Sequence, residues 1–283
     1  MKTALILFPR TTPQGSLSAF DWWVAAAADC GIEARIAFFE DFVVTDDGAF
    51  ENGAPVRMPD IVVMRGYNTP LSMYFERGGC YVVNTWQAMQ QSLDKRLTHA
   101  CLRSAGIPTP PTVWSPSAIS YDEAASRLGV PFIVKQHDGS RGVNVFLVGT
   151  GAEYEDALLA CGGNALLQKF VSSSRGRDMR VWVIGDKVAG SVLRYSDNSF
   201  LSNYSQGGKA APCTADGNAA SLAVRASRCL GLEFAGVDLL FDEDGTYTVC
   251  EVNGNAGFRT LAAVNPGADI LRTLFEYIIS RHA

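Results

Sequence analysis

The chain has 283 residues, 47% of them apolar and 19% charged; that is about two domains' worth of a sequence able to bury a core, and it excludes a disordered chain. A net charge of −5 argues against a nucleic-acid-binding surface, which needs clustered lysine and arginine. Three scattered histidines and seven cysteines without a C-x-x-C spacing argue against a structural zinc site and read as buried, reduced thiols.

The apolar run Ala4–Phe8 stops at Pro9-Arg10, too short for a secretory h-region, and reads as the body of a strand Thr3–Phe8. No stretch approaches the ~20 apolar residues of a membrane span, so the expectation is a cytoplasmic protein with no membrane partner. Ser18–Gly31 reads as a helix closed by Gly31, and Ala34–Phe39, Asp60–Arg65 and Tyr81–Asn84 as further strands. Strands alternating with helices predict a parallel α/β layer over residues 1–85. Val43–Val56, with its Asp-Gly and Asn-Gly pairs, predicts a hairpin excursion from that layer. Trp86–Gly106 reads as one long linking helix, ended by Gly106 and the prolines at 108, 110 and 111.

The remainder has an α+β texture. Ser120-x-x-Glu123 offers a capping box to a helix Tyr121–Leu128. Phe132–Gln136 and Val143–Val148 read as strands joined by DGSRG, Glu153–Ala160 as a helix, and Ala165–Val171 as a strand. Met179–Ile184 and Val188–Tyr195 form a hairpin over Gly185-Asp186. Asn218–Leu230 is a helix, Gly236–Phe241 and Tyr247–Asn253 a hairpin over Asp244-Gly245, and Asp269–Arg281 a closing helix.

Four constellations carry chemistry. A two-residue turn at Asp244-Gly245 sets Asp238 directly opposite Glu251, with Asn253 next on the same face. Like charges across a ladder repel, so two carboxylates and an amide oxygen ask for a hard cation, Mg²⁺ before Zn²⁺. In VKQHDGSRGVNV (134–145), Lys135 and a glycine-flanked turn suit phosphate, although no Walker A pattern exists in the chain. LLQKFVSSSRGRDMRVWV (166–183) offers strand-end backbone for a purine edge and Asp178 for ribose hydroxyls. RYSDNSFLSNYSQGGK (194–209) places Arg194, Asn203 and Lys209 around a polar loop of the kind that binds or closes. Taken singly, the same residues also fit a solvated hairpin face, an ordinary glycine turn, a surface ion pair and a surface loop.

The order of the pieces decides. Asp94-Lys95, VK-x-x-x-G-S-x-G, Q-K-F-V, D-M-R, S-N-x-x-x-G-G, G-V-D-L and E-V-N-x-x-x-G follow one another from about residue 86 to 283. This resembles the ATP-grasp superfamily, most closely its RimK-like carboxylate–amine ligases. The resemblance implies an α/β and α+β chain: an N-terminal α/β domain (1–85), a linking helix (86–108), a small ATP-grasp lobe (109–171) and a large lobe with the metal site (172–283). It implies that Lys95 and Lys135 contact ATP phosphates beneath the loop Gly139, Ser140 and Gly142. Gln168, Lys169, Phe170 and Val171 would meet the adenine, through backbone at Lys169 and Val171, and Asp178 the ribose. Asp238, Glu251 and Asn253 would hold Mg²⁺, with Mn²⁺ as a substitute, and Arg180, Arg194 and Asn203 would face the reacting carboxylate and phosphate.

The implied activity is ligation of a carboxylate to an amine through an acyl phosphate, on a small-molecule or peptide substrate; homo-oligomerisation stays open. A phosphotransferase using the same site, a ligase adding glutamate to a protein C-terminus, and a nucleotide-binding module without catalysis are the alternatives. Relatives that ligate glutamate usually carry arginine where this chain has Leu201 and Gln206. That departure points to a neutral substrate, unless Arg259 or Arg65 supplies the charge.

Overall fold

The computed structural model describes residues 1–12, 18–117, 119–140, 142–163, 165–202 and 207–282. Its first unit runs β1 (Lys2–Phe8), α1 (Ser18–Asp29), β2 (Ile32–Phe38), β3 (Phe42–Thr45), β4 (Gly48–Glu51), β5 (Ala54–Pro55), β6 (Ile61–Met64), α2 (Thr69–Arg77) and β7 (Tyr81–Val83). The parallel sheet has the order β2-β1-β6-β7. Every residue of β6 is buried, as expected of a parallel strand covered on both faces. The excursion is a small antiparallel sheet, β3-β4-β5. Helix α2 escapes the pattern reading; Asn68 caps it and Pro70 occupies its first turn.

The long linking helix is in fact two, α3 (Trp86–Leu93) and α4 (Lys95–Ser104), broken at Asp94. Asp94 ends the first and caps the second, its carboxylate accepting from the Arg96 amide. The capping residue interrupts a periodicity that apolar spacing alone carries through. The small lobe follows: β8 (Thr112–Val113), α5 (Tyr121–Leu128), β9 (Phe132–Gln136), β10 (Val145–Val148), α6 (Gly151–Ala160) and β11 (Ala165–Lys169). Its antiparallel sheet has the order β10-β9-β11-β8 and packs Phe132, Val134 and Leu167 against Tyr154 and Ala157 of α6. The reciprocal capping box belongs to Thr150 and Glu153 at the start of α6. At Ser120 the side chain accepts from the Glu123 amide as expected.

The large lobe contains β12 (Arg177–Ile184), β13 (Lys187–Tyr195), β14 (Lys209–Pro212), α7 (Gly217–Cys229), β15 (Phe234–Phe241), β16 (Tyr247–Asn253), α8 (Arg259–Val264) and α9 (Ile270–His282). The sheet order is β14-β13-β12-β15-β16. Side chains alternate across it. Met179, Val181, Val183, Val237 and Leu239 face α7. The other face divides in two. Its apolar half, Trp182, Ile184 and Phe234, joins Ile6, Trp23 and Val63 of the first unit and Leu274, Phe275 and Ile278 of α9 in one core. Its polar half carries Arg180 and Asp238 toward the small lobe. The N-terminal unit therefore shares its main core with the large lobe. Among the described residues no helix is long and apolar enough to cross a membrane.

Candidate active site between the two lobes

The floor of the site is a row of charges on three strands. Arg180 on β12 pairs with Asp238 on β15, and Asp238 with Glu251 on β16. The Asp238–Glu251 juxtaposition is the expected one, but it arises differently. The hairpin loop is one residue longer than a two-residue turn, with the Asp242 amide donating to Thr246 O. A bulge between Asp238 and Leu239, where Val249 and Glu251 flank the extra residue Cys250, then restores the register. Bulges re-aim side chains beside functional sites. Without this one Cys250 would face Asp238 and the carboxylates would lie on opposite faces.

Asp238 is buried and fully engaged. Arg180 donates to both of its oxygens, at 2.6 and 2.5 Å, and Arg194 Nη2 lies 2.9 Å from Oδ2. Burial raises the Asp238 carboxyl pKa, but the two guanidiniums outweigh burial and hold it below the usual carboxylate value. Arg194 in turn donates bidentately to Asp178, at 2.7 and 2.6 Å. Burial lowers the Arg194 pKa, yet Asp238 and Asp178 together drive it upward, so the guanidinium stays charged. Ser202 Oγ donates to Asp178 Oδ2 at 2.5 Å. Arg180–Asp238–Arg194–Asp178–Ser202 is thus one continuous network, satisfied at each joint.

Two lysines enter from other segments. Lys95, at the start of α4, donates to Gly139 O and lies 3.4 Å from Glu251 Oε1. It ties the glycine loop of the small lobe to the carboxylate of the large one. Lys135, on β9, is only 5% exposed. Its Nζ donates to Gln168 Oε1 at 2.9 Å, and Gln168 is held by Thr112 Oγ1 at 2.8 Å. Among the described residues no carboxylate lies within 4 Å of Lys135 Nζ. Lys95, Lys135, Arg180 and Arg194 face three carboxylates, Asp178, Asp238 and Glu251, which leaves a surplus of positive charge.

These groups border one cleft of about 890 Å³, open solvent at its mouth included. Gly139, Ser140 and Gly142 line it from above, Gln168, Lys169, Phe170 and Val171 along one side, and Asp178, Arg194, Asp238 and Glu251 below. Ile133, Val145 and Leu240 give it an apolar slot. Leu201 also lines the cleft, next to Phe200, whose ring packs edge-on to Phe170 at 6.4 Å. Arg180 and Asn253 stand back from the opening. Arg180 clasps Asp238, and Asn253 lies opposite Gly236, two pairs beyond Glu251 on the same face, with a buried Nδ2 that has no partner among the described residues. Asn203 and Gln206 lie outside the described residues. The site residues missing from the sequence reading include Ser202 and Cys250 as well as the apolar wall of Ile133, Val145, Phe200 and Leu240. Ser202 stood in the S-N pair that already marked the loop. Cys250 had no signal, because the bulge that sets it between Val249 and Glu251 depends on pairing. Burial pushes its thiol pKa up, which makes it a quiet wall residue.

Among the described residues no three His, Cys, Asp or Glu side chains are grouped to hold a metal. The oxygen donors that could hold a cation are the Asp238 and Glu251 carboxylates, which pair across the ladder, and the Asn253 amide. Oxygen-only donors of this kind fit Mg²⁺ or Mn²⁺ rather than zinc. Glu251 borders the cleft with the more accessible carboxylate, and Asp238 keeps its oxygens on arginine. The cation surplus, the glycine loop and the apolar slot fit a nucleotide triphosphate, whose phosphates would offer Lys135 a counter-charge.

Comparison with known proteins bears on this geometry. N-acetylaspartylglutamate synthase A of Homo sapiens is 35% identical over 209 residues, which are 72% of this chain and 54% of that protein. The chain thus spans about half the length of that relative. A protein of Xanthomonas campestris pv. campestris (strain B100) named "Probable alpha-L-glutamate ligase" is 33% identical over 237 residues, 80% of this chain and 81% of its own. The solved structure of the ATP-grasp ligase PsnB complexed with minimal precursor superposes with a TM-score of 0.75 at 21% identity, covering 99% of each chain, which shows the fold. A family model, the RimK-like ATP-grasp domain, matches residues 92–278. That span takes in both lysines, the glycine loop and the Asp238–Glu251 hairpin, and on it the chain belongs to the RimK-like ATP-grasp family.

Proposed function

We propose that the protein is an ATP-dependent ligase joining a carboxylate to an amine through an acyl phosphate, with release of ADP and phosphate. The observation that carries this reading is the convergence of Lys95, Lys135 and the Asp238–Glu251 pair on one glycine-roofed cleft. Lys95 and Lys135 would hold the phosphate chain by charge, and the Gly139–Gly142 loop would close over it. Lys169 and Val171 would offer backbone to the adenine, and Asp178 would face the ribose. Asp238, Glu251 and Asn253 would hold Mg²⁺, which when bound neutralises phosphate charge.

In the first step a substrate carboxylate oxygen takes the γ-phosphoryl group and ADP leaves. In the second an amine nitrogen attacks the acyl carbon, phosphate departs, and the amine gives up a proton. Arg194 and Arg180 fix the electrostatics beneath the transfer, and loop closure keeps water from the acyl phosphate. No protein nucleophile is required.

The substrates are read as an amino acid or peptide with a small acid. Glutamate appears in the names of the relatives. Leu201, however, lines the cleft and offers no cation to a second carboxylate, which favours a neutral amino acid. Seven free thiols suit a reducing, cytoplasmic setting. The test is phosphate release against a panel of acids and amines, with product masses. Release of ADP and phosphate that requires both partners, with an amide product, is expected. Phosphorylated product formed without any amine dependence would make the protein a phosphotransferase instead.

A further inference from the structure

We infer that Asn84, with Arg65 beside it, is a positioning residue for the hairpin that carries Asp238, Glu251 and Asn253, so that the N-terminal unit serves the metal site of the large lobe. The inference rests on the reading of those three residues as metal ligands.

Asn84 follows β7 at the edge of the N-terminal sheet and is 2% exposed. Its amide is spent on the hairpin, apart from a long 3.9 Å contact from Nδ2 to Met89 Sδ. Oδ1 accepts from the backbone amides of Glu233 at 2.8 Å and Phe234 at 3.0 Å. Nδ2 donates to Phe234 O at 2.7 Å and to Gly254 O at 2.9 Å. One side chain thereby joins the beginning of β15 to the residue just after β16, the point where Asn253 leaves the ladder. Arg65, past the end of β6, adds a second tie: Nη2 donates to Ala256 O at 2.8 Å. Its guanidinium lies 5.0 Å from the Trp23 ring and 5.4 Å from that of Phe234, so packing on both sides holds it in place.

The hairpin has two ends of different character. The Asp244-Gly245 end is exposed, while the end bearing Asn253 is closely packed. A Cβ at Gly254 would stand 2.7 Å from Ser92 Oγ, and one at Gly236 2.7 Å from the Ala256 Cβ. Backbone placed this tightly takes its position from its hydrogen bonds, and the Asn84 amide supplies them to both strands at once. Groups that orient a ligand-bearing segment set metal affinity without touching the ion.

The experiment measures the affinity of a non-hydrolysable ATP analogue with MnCl₂ and with EDTA. The ratio isolates the contribution of the metal. Asn84→Ala should lower that ratio about tenfold while metal-free affinity stays within about twofold of wild type. Glu251→Gln should abolish the metal contribution. If Glu251→Gln keeps the full ratio, the metal reading fails and the inference with it. If Glu251→Gln loses the ratio but Asn84→Ala keeps it, the positioning role alone is overturned. Equal losses with and without metal would make Asn84 a purely structural residue and also overturn it. Should Asn84→Ala not fold, Arg65→Met, which removes the Ala256 tie, decides by the same ratio.

Discussion

Lys135→Met isolates the role of the buried ammonium. The substitution keeps length and removes a charge that donates to the neutral Gln168 Oε1 at 2.9 Å. At ~4 Å from a phosphate oxygen and an effective dielectric of ~20, the attraction is bounded by about 4 kcal/mol. After exchange with water, a charge-assisted hydrogen bond retains about 1.5–3 kcal/mol. Nucleotide affinity should therefore fall roughly 10- to 150-fold. Stability should move the other way or not at all. The variant no longer buries an ammonium, which costs several kcal/mol in a folded protein. It leaves Gln168 Oε1 unpaired, at about 1–3 kcal/mol. Calorimetric titration with ATP and urea unfolding measure the two quantities on the same sample. Unchanged affinity would refute the phosphate role. A loss of affinity accompanied by more than about 3 kcal/mol of destabilisation would show that the lysine holds the fold.

Glu251→Gln should end turnover with the unfolding transition in place, because the carboxylate has Lys95, 3.4 Å away, as its ion-pair partner; retained ATP consumption with true substrates would remove Glu251 from the metal set. Gly176→Ala should lose about 1–3 kcal/mol of stability, since φ is +67° and the new Cβ would stand 2.7 Å from Ser199 O and 2.9 Å from Ser196 O; unaltered urea unfolding would reject that strain. His99, whose pKa burial and then Arg103 and Lys135 lower from 6.5, binds its proton more readily when unfolded. Stability should be full above about pH 6.5, fall as pH drops from there toward the depressed folded value, and then level off. Unfolding curves at pH 7.5 and 5.5 for wild type and His99→Gln check this, and an identical pH response in the two proteins would exclude His99.

Much of the architecture was legible because local chemistry and tertiary demand agree. Alternating patterns gave the parallel N-terminal layer, and the order of short polar motifs gave the family. The two-residue period put Glu251 and Asn253 on one face. Where side-chain chemistry competed with periodicity, the pattern misled: the Asp94 cap splits what apolar spacing reads as one helix. The Asp238–Glu251 pairing came out correctly from a turn that is one residue too short, because a bulge at Cys250 compensates. A bulge is fixed by the partner strand, and no local pattern encodes it.

The sequence by itself determined which residues can carry charge to a cleft, since residue type and strand periodicity are local properties. It could not determine their partners. Arg194 bridges Asp178 and Asp238, Lys135 is buried against Gln168, and Asn84 holds a hairpin about 150 residues further along the chain. Such pairings depend on which segments the packed core brings within 3 Å of one another, and that distance belongs to the tertiary structure.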